Sequence, residues 1–476
     1  MSPDYVLIRW ELPTLGGGFS KRALENPDVQ RTLAAVDTRD VLASEPVVAG
    51  QSPLCHVPNY EEWLLDLATT EGTDELWDER GIGFTRYTEE SADVPTVYAG
   101  GWYDSYAKAT TDSFRAFEAA NDSDLYLIMG PWTHGGTDAW TKTHAGEGSF
   151  GPEARVDFLE TQLAFFDRYL RDRDTWDRAP VSYFRMAGGE EPTAATATGS
   201  DQLLHHGGTW TTATEWPLPD AEPTVYYAQP DGTLAPREPT VEDSSTTYDF
   251  DPADPVPTLG GNCSSYYTFE PRTESIEEYP LADRPTESIT GRGGYDQRTR
   301  PDTFGADPPY GPLELRDDVV TFRTPPLEDS IEVAGPISVR VYGSTDAADT
   351  DFTAKLIDEY PPSEDYPGGF ALNLCDSICR ARYRGPRREP EPIEPGEVYA
   401  FNMEPYPTAN VFAAGHRIRL DVSSSNFPRY DVNHNTAASA DERERVVATN
   451  TIYHERDNPT HVTLPIRLSC DSTGQG

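Results

Sequence analysis

Apolar and polar positions change rhythm along this chain. In "NYEEWLLDLATTEGTDELWDERG" (59–81), Trp63, Leu64, Leu67, Leu76 and Trp77 recur near helical spacing, which predicts one or two amphipathic helices. Residues 94–100 read as a short strand, and "TTDSFRAFEAAN" (110–121) as a helix with Phe114, Phe117 and Ala120 on one face. A second strand follows at 125–130, an amphipathic helix at 153–173 and a third strand at 180–186. Such alternation of strand and helix argues for a parallel α/β layer.

After about residue 180 the rhythm shortens. A Thr-, Gly- and Ala-rich stretch runs to about 215, and from 222 onward prolines and glycines punctuate short β-patterned runs. These include "TVYYAQ", "VVTFRT", "ISVRVYG", "FTAKLIDEY", "RIRLDVSSS" and "HVTLPIRL". In "HRIRLDVSS", Ile418, Leu420 and Val422 alternate with Arg417, Arg419 and Asp421, the pattern of one buried and one wet face. Many such strands without long helices predict a β-sandwich or jelly roll.

Composition narrows the function classes. The 476 residues suffice for two or three domains. No stretch approaches ~18 uninterrupted apolar residues, so no membrane-spanning helix is expected. The first thirty residues carry Asp4, Arg9, Glu11, Lys21 and Arg22, which is not the basic start and apolar run of a signal peptide. Acidic residues number 81 against 38 basic ones, a formal net charge of −43. Only Lys21, Lys108, Lys142 and Lys355 are lysines. This balance disfavours nucleic acid as a partner, since no basic stripe is available to neutralise phosphates. It suits a salt-rich cytoplasm of the halophile kind, where screening shortens repulsion.

The five cysteines are dispersed, and Cys375 and Cys379 form a C-x3-C pair without a nearby histidine, which is poor zinc spacing. His205 and His206 sit in the Gly- and Thr-rich stretch and are not read as ligands. No metal and no cofactor are expected.

Two apolar runs stop abruptly at a polar residue: "VPTVYAGGWYDSY" (94–106) at Asp104, and "LYLIMGPWTHGG" (125–136) at His134. Carboxyl ends of strands are where α/β proteins build their sites. A carboxylate that accepts from a histidine fixes its tautomer and stabilises the imidazolium, so the histidine can act as general base to a serine. Gly100 and Gly101 are expected to let the chain turn before Asp104. Taken singly, Asp104 could instead cap a helix and His134 could be a loop residue.

These blocks resemble the GWYD and GPWxHG motifs of the CocE/NonD hydrolases, the cocaine-esterase-like and X-Pro dipeptidyl-peptidase-like serine acylhydrolases. The resemblance extends through "LAFFDRYLRD" (163–172), "APVSYFRMAG" (179–188) and "YDFDPADPVPTLGG" (248–261), and into the β-patterned region at 319–356 and 413–436. It implies Asp104 as triad acid and His134 as base, with Trp102 and Tyr106 lining the acyl pocket. It implies a partial α/β-hydrolase, made of helical cap and last strands, followed by a C-terminal jelly-roll β-sandwich. The expected boundaries are a cap at 1–92, the end of the hydrolase domain at 93–187, a linker at 188–220 and the jelly roll at 221–470. The substrate would be a small ester or a peptide.

In α/β-hydrolases the triad serine precedes the acid, on a G-x-S-x-G elbow. No such elbow is found here. "GGFSKR" (17–22) has Arg22, "AGQSPL" (49–54) has Leu54, and "GEGSFG" (146–151) has Glu147 where a glycine is needed. Ser105 adjoins the acid it would have to be oriented through. The nucleophile is therefore expected outside this chain, through an amino-terminally shortened reading of a longer gene or as a second subunit. The rival reading is a non-catalytic β-sandwich binding module carrying a hydrolase remnant.

At −43 net charge, cooperative folding is expected only near molar salt, where the Debye length is about 3 Å. Circular dichroism across a KCl titration checks this. Full native signal at ~50 mM, where charges still repel over more than ~10 Å, would contradict it.

Overall fold

The structure, a computed structural model, describes residues 12–36, 38–43, 48–69, 84–135, 139–187, 194–196, 202–263, 289–385, 390–437 and 444–467. Short helices come first: α1 (Leu12–Gly18), α2 (Lys21–Glu25), α3 (Pro27–Ala34), α4 (Thr38–Ala43) and α5 (Pro58–Thr69). Ser20 caps α2 by accepting from Ala23 N, and Asn26 caps α3 from outside Pro27. Ala23, Val29, Leu33, Leu42, Leu54 and Leu64 form a small separate core that also takes in Cys263 and Ile289. Helix α5 covers the first half of the helical pattern at 59–81; residues 70–83, with Leu76 and Trp77, lie outside the described residues.

The α/β layer follows the predicted alternation. Strand β1 (Thr96–Tyr103) leads to α6 (Ala107–Glu118), then β2 (Leu125–Thr133), the two-residue strands β3 (His144–Ala145) and β4 (Gly148–Ser149), and α7 (Phe158–Arg171). Next come β5 (Val181–Ala187), β6 (Ala194–Thr196), β7 (Gln202–His205) and β8 (Gly208–Ala213). β1, β2 and β5 pair in parallel, and β8 returns antiparallel along β5. Tyr98 packs its ring against Phe114 and Phe117 of α6, while Tyr126 meets Phe165 and Tyr169 of α7, so a helix covers each face. Residues 202–205 and 208–213, within the stretch expected as a linker, are strands. Their backbones find hydrogen-bond partners on β4 and β5.

The remaining strands make an all-β part: β9 (Glu222–Ala228), β10 (Leu234–Ala235), β11 (Ser245–Phe250), β12 (Val320–Arg323), β13 (Ile331–Gly335), β14 (Ser338–Thr345) and β15 (Asp351–Tyr360). Then follow β16 (Phe370–Arg380), β17 (Tyr399–Met403), β18 (Thr408–Phe412), β19 (Arg417–Ser423), β20 (Ala448–Tyr453) and β21 (His461–Arg467). One antiparallel sheet runs β12-β19-β15-β16. The other strands do not form a separate body. The order β1-β2-β5-β18-β13-β21-β14-β20-β11 is a single sheet, because β18 lies parallel to β5 through Asn410↔Met186 and Val411↔Ala187. The main hydrophobic core is likewise continuous, from Phe114 and Met129 to Val341 and Leu464.

The supposed wet face of β19 is not wet. Arg419 and Asp421 are both buried, and the guanidinium forks onto the carboxylate at 2.8 and 2.7 Å. Alternation reported polarity correctly, but a bidentate pair lets polar side chains go inside. Among the described residues no helix is long and apolar enough to cross a membrane.

His206 is fully buried in a network that ties the parts together. Its Nδ1 meets Tyr360 Oη at 2.5 Å and its Nε2 meets Asn410 Oδ1 at 2.7 Å. Asn410 Nδ2 donates to Asp358, which also meets His416 Nδ1 at 2.8 Å. Burial pushes the His206 pKa down from 6.5 to about 4, against the pull of Asp358. The native ring is therefore neutral while the unfolded ring takes up a proton below 6.5. Stability should be intact above that value and fall as pH drops from 6.5 towards about 4, by up to about 1.4 kcal/mol per unit. Denaturant unfolding at stepped pH tests this, with His206→Gln expected to flatten that part of the curve. An unchanged slope in the variant would refute it.

Candidate active site

β1 and β2 are adjacent and parallel, with Thr96 opposite Leu125 and Tyr103 opposite Thr133. Asp104 and His134 are each the next residue, so the register alone puts them side by side. The pairing slips between Gly101 and Tyr103. There the strands approach so closely that a Cβ on Gly101 would lie 2.1 Å from Trp132 O. Gly100 and Gly101 lie inside β1, and Gly101 both allows the close approach at the irregularity and opens the turn expected before Asp104. Asp104 N–H donates to Gly101 O and Ala107 N–H to Asp104 O, both at 3.0 Å, so one turn runs from Gly101 to Asp104 and a second from Asp104 to Ala107.

His134 Nδ1 lies 3.2 Å from Asp104 Oδ2. The other carboxylate oxygen, Oδ1, accepts from Tyr106 N at 2.8 Å. The local turn bond and the histidine contact are therefore both made, one by each oxygen. Asp104 is 14% exposed at its side chain and His134 41%, an acid largely withdrawn from water and a ring that solutes can reach. With its proton on Nδ1, the imidazole holds Nε2 as a proton acceptor.

Tyr106 is half-exposed, its ring 5.1 Å from the His134 ring, so it borders the pair. Trp102 does not. It is 1% exposed, donates Nε1–H to Phe184 O at 2.7 Å and packs on Trp216, so it belongs to the core and not to a substrate pocket. That role was implied by the family resemblance alone, and the buried ring does not fill it.

Three further residues reach the pair from distant sequence. Asn262 donates to the Trp102 and Asp104 carbonyls, Tyr406 Oη donates to Ser105 O, and Arg292 Nη1 donates to His134 O at 3.4 Å. Asn262 directly follows the "PTLGG" stretch quoted above, yet nothing local signalled a contact 158 residues away.

Among the described residues no cluster of three His, Cys, Asp or Glu side chains could hold a metal ion. The buried Cys375 and Cys379 thiols are held protonated by burial, Cys379 pushed up to about 12, so neither supplies a thiolate nucleophile. A groove of about 510 Å³ beside α7, lined by Trp176, Arg178 and Trp210, does not include Asp104, His134 or Tyr106. What the arrangement can do is accept, hold and return a proton at Nε2.

Comparison with known proteins agrees in its outline. Residues 175–463 match the X-Pro dipeptidyl-peptidase C-terminal non-catalytic domain, and residues 11–136 match X-Pro dipeptidyl-peptidase of the S15 family, a segment containing both Asp104 and His134. The chain is 34% identical over 389 residues to cocaine esterase of Rhodococcus sp. (strain MB1 Bresler), covering 78% of this chain and 56% of that protein. It is 23% identical over 395 residues to a putative serine esterase of Mycobacterium bovis, covering 80% and 51%. The chain thus spans about half the length of the curated relatives it matches. Among solved structures, an aminopeptidase from a marine sediment Thaumarchaeota archaeon superposes with a TM-score of 0.68 at 22% identity, over 91% of this chain and 64% of that one. An α-amino acid ester hydrolase gives 0.65 at 25% identity, over 87% and 62%.

Gly101→Ala should cost more than about 3 kcal/mol or prevent folding, because the added methyl meets backbone that cannot move without parting β1 from β2. Gly311→Ala, whose methyl meets nothing within 4 Å, is the control. Thermal unfolding of the two variants compares them; equal melting temperatures would contradict the close-approach argument.

Proposed function

The chain belongs to the CocE/NonD family of serine esterases and X-Pro dipeptidyl-peptidase-like hydrolases, and from that premise we propose that it carries the acid–base half of a serine acyl-transfer site. The observation that carries the reading is the 3.2 Å contact of His134 Nδ1 with Asp104 Oδ2 at the ends of two neighbouring parallel strands. In this reading His134 Nε2 takes the proton of a serine hydroxyl as that oxygen attacks an ester or X-Pro amide carbonyl. It then returns the proton to the departing alcohol or amine. Water repeats the cycle to release the acyl group. Asp104 keeps the ring in the right tautomer and stabilises the imidazolium. Tyr106, against the ring, borders the acyl group.

The serine is proposed to come from a polypeptide segment outside these 476 residues, since none of their serines stands in G-x-S-x-G. Two surfaces favour such a segment. Among the described residues β1 pairs only with β2, which leaves an edge on a parallel layer of a kind normally covered. On α7, Leu159, Leu163, Phe166 and Leu170 repeat along one face, and each is at least 50% exposed. The charge of −43 supports a salt-rich working medium.

Alone, the chain should neither label with a fluorophosphonate probe nor hydrolyse p-nitrophenyl esters beyond a trace, because loss of the nucleophile costs on the order of 10⁶ in kcat. Combined with a G-x-S-x-G segment encoded beside it, turnover should appear. His134→Ala should then abolish it, and Asp104→Asn should lower it by about 10⁴. Labelling of a serine in the unassisted chain, mapped by mass spectrometry, would show that the nucleophile lies within it.

A further inference from the structure

The turn that carries Asp104 is held from behind by the all-β part. Asn262 is fully buried, and its Nδ2 donates to the carbonyl of Trp102 and, at 3.4 Å, to that of Asp104. Tyr406, also buried, donates its hydroxyl to the carbonyl of Ser105 at 3.0 Å. Carbonyls on both sides of the Asp104 side chain are thus fixed by groups 158 and 301 positions away.

The support is itself rigid. Gly261 and Gly293 exchange two backbone hydrogen bonds, at 2.7 and 3.1 Å, and Thr258 N donates to Phe427 O at 2.8 Å. Gly293 has φ +107°, and a Cβ there would lie 2.3 Å from Ala145 C, so only glycine fits the bridge. The residue after Gly261 is Asn262, against the acid. The residue before Gly293 is Arg292, whose Nη1 reaches the carbonyl of His134. One bridge therefore delivers a donor to each half of the pair.

The chemistry at 262 is restrictive. The groups that Nδ2 faces are both acceptors, so the position needs a donor. An aspartate of the same size would set oxygen against oxygen. Among the described residues Asn262 Oδ1 has no hydrogen-bond partner. A buried carboxamide that leaves its acceptor unmatched costs stability, so its donor half accounts for its presence.

We propose that Asn262 and Tyr406 are positioning residues for the acid–base pair. They lock the turn that aims Asp104 Oδ2 at His134 Nδ1, and so set the tautomer in which the proton sits on Nδ1 and not on Nε2. This rests on the reading of Asp104 and His134 given above, and it needs no nucleophile to be tested.

The test is the imidazole tautomer of His134 in the ¹⁵N-histidine-labelled 476-residue chain, in alkaline buffer at folding salt, assigned by the signal lost in His134→Ala. The wild type should show the Nδ1–H form. Asp104→Asn should convert most of it to Nε2–H, the form free imidazoles favour, and Asn262→Ala should cut the Nδ1–H fraction by about half or more with circular dichroism unchanged. Tyr406→Phe, which removes one hydroxyl and keeps the ring, should move it the same way, and it decides the matter if Asn262→Ala does not fold. A wild-type spectrum in folded Asn262→Ala, or in Tyr406→Phe when that variant decides, overturns the proposal. If Asp104→Asn also leaves the spectrum unchanged, it is the acid–base pair that fails.

Discussion

The parallel register of β1 on β2 is the constraint on which the site depends. Asp104 and His134 are 30 residues apart, and no local turn could join them. They meet because Tyr103 and Thr133 are partners and each strand ends one residue later. That register is held by the helices on either face and by the close approach at Gly101. Sliding β1 by one residue would send every side chain to the opposite face and carry Asp104 away from the ring. The geometry of the Asp104–His134 pair follows from sheet geometry, and the loops only finish what the strands begin.

Polar groups do much of the fastening between layers. Asn410 stands on β18 at the seam with β5 and bonds both His206 and Asp358. Arg429 is buried against Asp376, and Arg380 against Asp351. Such pairs are worth little as sums of attraction, because desolvation offsets much of the gain, but removing one partner strands a charge. They fix which strand lies where. Arginine suits this task through its planar fork, and the chain uses it almost to the exclusion of lysine. The one buried lysine, Lys355, has its ammonium destabilised by burial and leans on Gln297. Added salt would relieve repulsion among surface carboxylates and leave these interior pairs nearly untouched, since buried charges are poorly screened.

What the sequence disclosed was local. The abrupt stop of an apolar run at Asp104 and at His134 is visible in a dozen residues, and the alternation of strand and helix in fifty. The pocket role of Trp102 came from the resemblance alone, and the ring is buried in the core. Arg419 and Asp421 misled because a polar residue reads as wet unless its partner is known. The Thr- and Gly-rich stretch looked like a linker because its strands β7 and β8 are short and separated by His206 and Gly207, although their backbones pair with β4 and β5. Asn262 and Tyr406 gave no signal at all, since what matters about them is a contact made only after the two parts of the chain have come together.

That last point bears on how the acid–base pair is built. A carboxylate and an imidazole at the tips of two strands are free to drift, because strand ends have no ladder beyond them. Here the drift is limited on the side away from solvent, by donors from the all-β part, while the ring face and Tyr106 stay open on the other. The half-site is therefore organised before a substrate or a serine arrives. On the proposed reading, a serine entering from another segment would have only to be placed against an Nε2 already aimed, the entropy of ordering the acid and base having been met by folding. On that reading the all-β part would govern the chemistry by holding the backbone on which the proton's path depends.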